Sequence, residues 1–354
     1  MNVNKKNKIL FFLFPKFGGA ERISITIAKY LDRNKFDPIF VIVGKEMGNI
    51  ASFIPTDFSL IHLKIRNIWD FTTFKMISLL KKEKPYAVFA TNMFLNTRVL
   101  MAASFVGGIK KIIRNANYLF TIDKVSFALC RLTYSKADII VAQQEEMKDD
   151  IVDHLKVNPE KVIVLHNPLD TDVINEKLVG ATNPFPQDGC INYVWVGRIS
   201  KTKGQDVLIN AFNIVYHQNP KTQLYFVGRT EGESFKEELD KMVEDYHLGK
   251  NVHFIGFDNN PYRWVKYCDC FVLPSRIEGL PNALVEAQYL GRPCVATVCI
   301  PMIDRIINEG ENGYKVPSED YEKLATAMVK APRLGQISMS YHPTTKEEFI
   351  KLFQ

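Results

Sequence analysis

Short unbroken apolar runs recur along this chain, and amphipathic stretches fill the intervals between them. In the first half strand signals fall at 9–14, 39–43, 86–91, 111–114, 139–142 and 162–165, and most of them are such runs. Apolar runs of four to six residues without polar alternation predict parallel strands buried on both faces. Between them lie helical patterns. At 20–31, Ile23, Ile27, Tyr30 and Leu31 recur at helical spacing and give one apolar face. Residues 166–189 break the rhythm with Asn167-Pro168, Gly180, Asn183-Pro184, Pro186 and Gly189, a composition that reads as linker. The same alternation then restarts, with strands predicted at 191–196, 223–227, 252–255, 270–273 and 293–296, and helices at 205–217, 234–246, 281–290 and 318–329. Alternating strands and helices joined by right-handed crossovers build a doubly wound α/β sheet. The pattern therefore predicts two tandem Rossmann-like domains, at 1–180 and 181–335, and a terminal segment at 336–354. That segment carries Phe349, Leu352 and Phe353 as apolar contacts, and either docks on the first domain or frays.

Length supports this division, since 354 residues exceed one ordinary core. Charge adds an asymmetry. Residues 1–170 hold 25 Lys/Arg against 16 Asp/Glu, a net of +9, whereas residues 171–354 hold 20 against 23, a net of −3. A basic half suits an anionic surface or a phosphate-bearing partner, or is simply a solvated surface. The start, Lys5-Lys6-Asn7-Lys8 followed by the run at 9–14, imitates a signal peptide, but the apolar run is short and ends at Pro15. No run is long enough to span a bilayer, so membrane contact is expected to be peripheral and the location cytoplasmic. The six cysteines form no paired C-x-x-C units, which argues against zinc, and they are expected to be reduced. Two segments, 66–75 and 117–136, mix rings with cations. Interfacial helices have that composition, and so do ordinary half-buried ones.

Three places carry candidate chemistry. After the first strand, Pro15-Lys16-Phe17-Gly18-Gly19 opens a helix at Ala20-Glu21, and glycines there let backbone N–H groups approach an anion. The alternative is a plain tight turn. In the second half, Gly197-Arg198 closes a strand, and Lys203-Gly204 stands near the start of the next helix. Ligands of open α/β sheets bind at the carboxyl ends of strands, so both cations are placed for phosphate oxygens, although a lone pair of cations is equally a solvated one. The third place is Glu278-Gly-Leu-Pro-Asn-Ala-Leu-Val-Glu286, which follows the strand at 270–273. Pro281 suits the first position of a helix, and Asn282 to Val285 would then offer free N–H donors. Glu278 lies in the loop and Glu286 inside the helix, so the two carboxylates can reach two ends of one ligand. Cations for a diphosphate and carboxylates for hydroxyls are what a nucleotide-sugar requires.

The pattern E-G-x-P-N-x-L-x-E-A, with V-G-R and K-G upstream and G-G-A-E near the start, resembles the retaining family-4 glycosyltransferases of the GT-B fold. Ala137–Ala142 and His166-Asn167-Pro168-Leu169-Asp170 extend the likeness along most of the chain. The resemblance implies two Rossmann-like domains facing a central cleft. It implies that Arg198 and Lys203, beside Gly197, bind the donor diphosphate, and that Glu286 accepts from ribose hydroxyls. Glu278 would hold the transferred sugar, and Gly279 and Asn282 would belong to the donor-binding site. N–H groups at Leu284 and Val285 would face the distal phosphate, and Gly18 and Gly19 would approach from the opposite domain. Catalysis would rest on Glu278, Arg198 and Lys203, with no cofactor and no metal, because the two side chains supply the positive charge. The family's first-domain histidine has no counterpart in Thr91-Asn92-Met93 or Arg114–Asn117. The expected donor is a UDP-sugar, with GDP as the alternative. The expected acceptor is a glycan or polyprenyl-linked saccharide of a surface polysaccharide such as capsule, O-antigen or lipopolysaccharide, and nucleic acid is not expected. The rivals are a nucleotide-sugar epimerase of similar fold and a non-catalytic nucleotide-sugar-binding subunit.

Overall fold

The computed structural model describes residues 6–65 and 72–354. They form two compact units, divided after Pro168, with residues 343–354 belonging to the first. Most of the segment at 66–75 therefore lies outside the described residues, and its remainder opens the helix Thr72–Glu83.

The first unit is built on a seven-stranded sheet, all parallel, in the order β3-β2-β1-β4-β5-β6-β7. The strands are β1 (Asn7–Leu13), β2 (Phe36–Gly44), β3 (Ser59–Lys64), β4 (Ala87–Ala90), β5 (Lys110–Arg114), β6 (Ile139–Ala142) and β7 (Val162–Val164). The continuous apolar run of β1 has a direct cause. Ile9, Phe11 and Leu13 enter the core on one face of the sheet, while Leu10 and Phe12 enter the core on the other. Helix Gly19–Tyr30 covers the first of these faces through Ile23 and Ile27, both almost fully buried. Strand β3 was not expected from the pattern. Its sequence, SLIHLK, mixes polar residues into a half-exposed edge strand and so lacks an unbroken apolar run.

The tail completes this core. Thr345 and Glu348 form a capping box, with the Thr345 N–H donating to Glu348 Oε2 at 2.8 Å and the Glu348 N–H donating to Thr345 Oγ1 at 3.4 Å. The helix Lys346–Lys351 brings Phe349, Leu352 and Phe353 into the core beneath β1 and β4. The Phe353 ring lies 5.8 Å from Phe11 and 6.0 Å from Phe89.

The second unit repeats the plan with six parallel strands in the order β10-β9-β8-β11-β12-β13. They are β8 (Ile191–Val196), β9 (Thr222–Val227), β10 (Val252–Gly256), β11 (Cys270–Leu273), β12 (Cys294–Thr297) and β13 (Gly313–Val316). The division falls earlier than the boundary expected near residue 180, because residues 171–178 are a helix of the second unit rather than linker. Asp170 caps it by accepting from the Val173 N–H at 3.2 Å, and Ile174 is buried. Asn175 Nδ2 donates to the Tyr289 hydroxyl at 2.9 Å, and Tyr267 donates to the Ala181 carbonyl at 3.0 Å. Among the described residues no helix is long and apolar enough to cross a membrane.

Candidate active site

In the second sheet β8 has β9 on one side and β11 on the other, so the chain leaves these two neighbours in opposite directions. Loops at such a switch point diverge at the carboxyl edge and leave room for a ligand. The exit of β8 carries Gly197, Arg198, a short 3-10 turn at Lys201–Lys203, and Gly204. The exit of β11 carries Ser275, Arg276 and Glu278 before the helix Asn282–Tyr289.

Backbone contacts lace the two exits together. The N–H groups of Arg276 and Ile277 both donate to the Thr202 carbonyl, at 2.9 and 3.3 Å. Gly204 adopts φ +67°, and a Cβ there would stand 2.0 Å from the Pro274 carbonyl oxygen, so only glycine permits this approach. Arg276 adds a side-chain clamp. It donates to both carboxylate oxygens of Asp206 at 2.8 Å, to the Lys201 carbonyl at 2.6 Å, and to Glu319. Burial works against the Asp206 charge, but the hydrogen bonds and positive charge of Arg276 outweigh it and hold the carboxyl below its usual range.

The clamped loops bring Lys203 and Glu278 together. Lys203 Nζ donates to Glu278 Oε2 at 2.7 Å, and Ser275 Oγ donates to Glu278 Oε1 at 2.7 Å. Ser275 is itself fixed, since the Thr297 hydroxyl donates to its carbonyl at 2.5 Å. Glu278 is 8% exposed and Ser275 fully buried, so the carboxylate is preoriented with a donor on each oxygen. Cys299 lies close enough to feel both charges. Burial pushes its thiol up to about 12, Glu278 adds to that shift and Lys203 opposes it, so the thiol stays protonated.

The other expected residues of the second unit have partners of their own. Arg198 does not join the Lys203–Glu278 pair; its guanidinium is bound by Glu231 at 2.8 Å, on the turn after β9, and both side chains are about half exposed. The Glu231 backbone is anchored there, its N–H donating to the Ile199 carbonyl at 3.0 Å. Glu286 is buried on the helix, at 9% exposure. The free N–H donors expected from Asn282 to Val285 are not all free. Pro281 takes the N-cap rather than the first helical position, and its carbonyl accepts from Leu284 and Val285 at 3.0 and 3.2 Å. The Asn282 N–H donates to the Leu280 carbonyl at 2.9 Å. Gly279 sits in the loop between Glu278 and this helix. Gly197, at φ +159°, donates its N–H to the Val227 carbonyl at 3.0 Å and packs beneath the close approach of Gly228.

Gly18 and Gly19 lie in the first unit, at the exit of β1 beside that of β4, the corresponding switch point. Gly18 is the N-cap of the helix and has extended backbone, and its carbonyl accepts from Arg22 at 3.0 Å. Burial raises the Glu21 carboxyl one turn on, although backbone hydrogen bonds partly offset the effect.

Pattern reading missed a polar network at the carboxyl ends of β4 to β7. Arg114, 2% exposed, donates to Thr91 Oγ1 at 2.9 Å and to Asn167 Oδ1. Asn96 Nδ2 donates to the Arg114 carbonyl at 3.0 Å, and Tyr134 donates to Asn115 Oδ1 at 3.0 Å. Burial depresses the Arg114 pKa to about 9. The available signal was a cation directly after the apolar pair of the strand KKIIR. For Ser275 the signal was a hydroxyl three residues ahead of Glu278.

Two parallel α/β units of this topology, with a preoriented carboxylate and two cations at the second unit's switch point, define a sugar-transferring enzyme of the GT-B fold. The chain belongs to that family: residues 17–173 match the family described as Glycosyltransferase Family 4, and residues 187–336 match Glycosyl transferases group 1. It is 28% identical over 304 residues to the N-acetylgalactosamine-N,N'-diacetylbacillosaminyl-diphospho-undecaprenol 4-alpha-N-acetylgalactosaminyltransferase of Campylobacter jejuni, covering 80% of this chain and 77% of that protein. It is 24% identical over 342 residues to the UDP-Gal:alpha-D-GlcNAc-diphosphoundecaprenol alpha-1,3-galactosyltransferase of Escherichia coli, covering 90% and 86%. The solved structure of Anabaena HepE in complex with UDP-glucose shares the fold at a TM-score of 0.77 and 18% identity, covering 98% of both chains.

Proposed function

We propose that this glycosyltransferase moves a sugar from a UDP-sugar to a polyprenyl-diphosphate-linked saccharide, with retention at the anomeric carbon, during surface polysaccharide assembly. The observation that carries the chemistry is Glu278, with one oxygen held by Lys203 and the other by Ser275. Fixed in this way it is an acceptor for sugar hydroxyls, and Lys203 keeps two further donors for a phosphate. In the reaction the bond from the anomeric carbon to the diphosphate breaks, and its electron pair goes to the phosphate oxygen. Lys203 and Arg198 neutralise that charge as it develops, which is the stabilisation such a step needs most. The acceptor hydroxyl forms its bond on the same face and passes its proton to the departing diphosphate. Glu286 serves the ribose hydroxyls. The two cations make a metal unnecessary. The acceptor class is carried over from the Campylobacter and Escherichia relatives, whose names specify diphosphoundecaprenol-linked substrates, and the UDP donor from the latter. An enzyme acting on such a substrate works at the cytoplasmic face of the membrane.

The test is nucleotide release from a panel of UDP- and GDP-sugars, with and without a membrane lipid extract. Release from one UDP-sugar, stimulated by lipid, insensitive to EDTA and abolished in Arg198→Ala, is the expected result. Binding of the donor without release under any condition refutes transfer and favours a binding subunit; complete loss with EDTA refutes metal independence.

A further inference from the structure

One helix of the first unit is apolar on two opposite sides, and only one side is covered. In Lys124–Thr133, Cys130 and Thr133 are buried and hold the helix to the body of the unit. On the other side Val125 and Leu132 are 64% and 63% exposed, with exposed Ala128 between them. The spacing i, i+3, i+7 places these three on a single stripe. Lys124 and Arg131, both exposed and also seven apart, line its edge. Phe120, 76% exposed, stands in the turn just before the helix, stacked on Tyr118 with ring centroids 5.3 Å apart. Phe105, 75% exposed, lies near the end of Met93–Val106, which packs alongside. From residue 98 to 136 the chain carries seven Lys or Arg, of which Arg114 is buried, against one acid, Asp123. That acid is used locally, accepting from the Val125 and Ser126 N–H groups at 3.0 Å as the helix N-cap.

We propose that this face docks on an anionic lipid bilayer. The helix lies in the interfacial plane, with Phe120, Val125 and Leu132 at the boundary of headgroups and acyl chains. Lys124, Arg131 and Lys136 lie against lipid phosphates. An apolar stripe with cationic edges is the arrangement such a surface selects. Charge decides against a second copy of the chain as the occupant. A two-fold contact sets the same patch against itself, which would oppose cation to cation over a stretch with a single acid. The inference rests on the proposed lipid-linked acceptor and deepens it by naming the surface that meets the lipid.

The experiment is co-sedimentation of the full chain with vesicles of phosphatidylcholine alone and of phosphatidylcholine with one-third phosphatidylglycerol. Wild type is expected to partition on the anionic vesicles and not on the neutral ones. The combined change Phe120→Ser, Val125→Ser and Leu132→Ser is expected to lower that partition at least ten-fold. Lys124→Glu with Arg131→Glu is expected to abolish the preference for anionic lipid. All these side chains are exposed, so both variants should keep the wild-type circular dichroism and the wild-type donor affinity. No partition of the wild type, or equal partition of the apolar variant, overturns the docking face. So does a wild-type dimer in light scattering that the apolar variant dissociates. Docking that fails while lipid extract still stimulates nucleotide release refutes this surface and leaves the lipid acceptor standing. Docking that holds with no lipid-stimulated release refutes the acceptor instead.

Discussion

The Lys203–Glu278 pair can be tested as a pair, apart from any activity, by a double-mutant cycle of Lys203→Met and Glu278→Gln. The two groups are 2.7 Å apart, with the carboxylate 8% exposed and the lysine side chain 22% exposed. Taking the charge centres as about 4 Å apart at an effective dielectric of about 20, the attraction is about 4 kcal/mol. Desolvation of both groups takes back a large part of this, which leaves a coupling of about 1–3 kcal/mol. Lys203→Met alone takes the cation from a nearly buried carboxylate that keeps the Ser275 hydroxyl on its other oxygen, and should destabilise the second unit by about 2–3 kcal/mol. That is below the range for a fully buried pair, because water reaches the lysine. Glu278→Gln is milder, since the amide oxygen still accepts from Ser275. The double variant strands neither charge and should be more stable than the sum of the single changes implies.

The chain's three tryptophans supply the assay. Trp195 and Trp264 lie in the second unit, Trp195 fully buried in its core, and Trp69 lies outside the described residues. In a Trp69→Phe background, fluorescence through a urea titration follows the second unit alone, so its transition can be treated separately. A cycle that is additive within about 0.5 kcal/mol, with Lys203→Met costing no more than that, would refute the reasoning. It would mean that Lys203 meets Glu278 without being needed to hold it.

Other consequences can be checked independently. Glu231 occupies Arg198, so Glu231→Gln should lower the donor KM two- to five-fold while changing stability by less than about 0.5 kcal/mol, as expected for a half-exposed pair; an unchanged or higher KM refutes the competition. Phe349→Ala or Phe353→Ala empties a site in the first core and should cost about 3–5 kcal/mol in chemical denaturation followed by far-ultraviolet circular dichroism, whereas a loss under about 1 kcal/mol would show that the tail is not part of that core. The Asp206 carboxyl is held below its unfolded value, so its contribution is complete above about pH 4 and is lost as pH falls through the lower folded value. Asp206→Asn should therefore lie a constant 1–2 kcal/mol or so below wild type from pH 7 to about 5, with the gap closing in more acid solution; a gap that instead widened on acidification would reverse the assignment. Arg276 stays charged throughout this range and adds no slope.

What could be read from the chain and what could not separate along physical lines. Strands buried on both faces, such as β1 and β11, announce themselves because every side chain must be apolar. Edge strands such as β3 and β13 need no such run, and SLIHLK and GYKV pass as loop. The helix at 171–178 hid for a related reason: Asn167-Pro168 and Gly180 frame it as a linker, and one buried residue, Ile174, is all that its apolar face required. The helix-end rule for free donors failed because it counts N–H groups and not nearby carbonyls, and Pro281 supplies one. The two cations make the sharpest case. Arg198 and Lys203 are five residues apart on one loop and are both cations suited to an anion, yet they face different carboxylates. Strand order accounts for this. Strand β8 lies between β9 and β11, and the β9 exit brings Glu231 to Arg198, while the β11 exit brings Glu278 to Lys203. Gly204, pressed against the Pro274 carbonyl, turns the second of them towards β11. Residue types and spacing named the charges, but their partners depend on which strands lie beside β8, a long-range choice that no local pattern encodes. The same choice sets their expected difference in behaviour: Lys203 is held by a buried carboxylate and acts with it as one unit, whereas Arg198 is held by an exposed one that a diphosphate can displace.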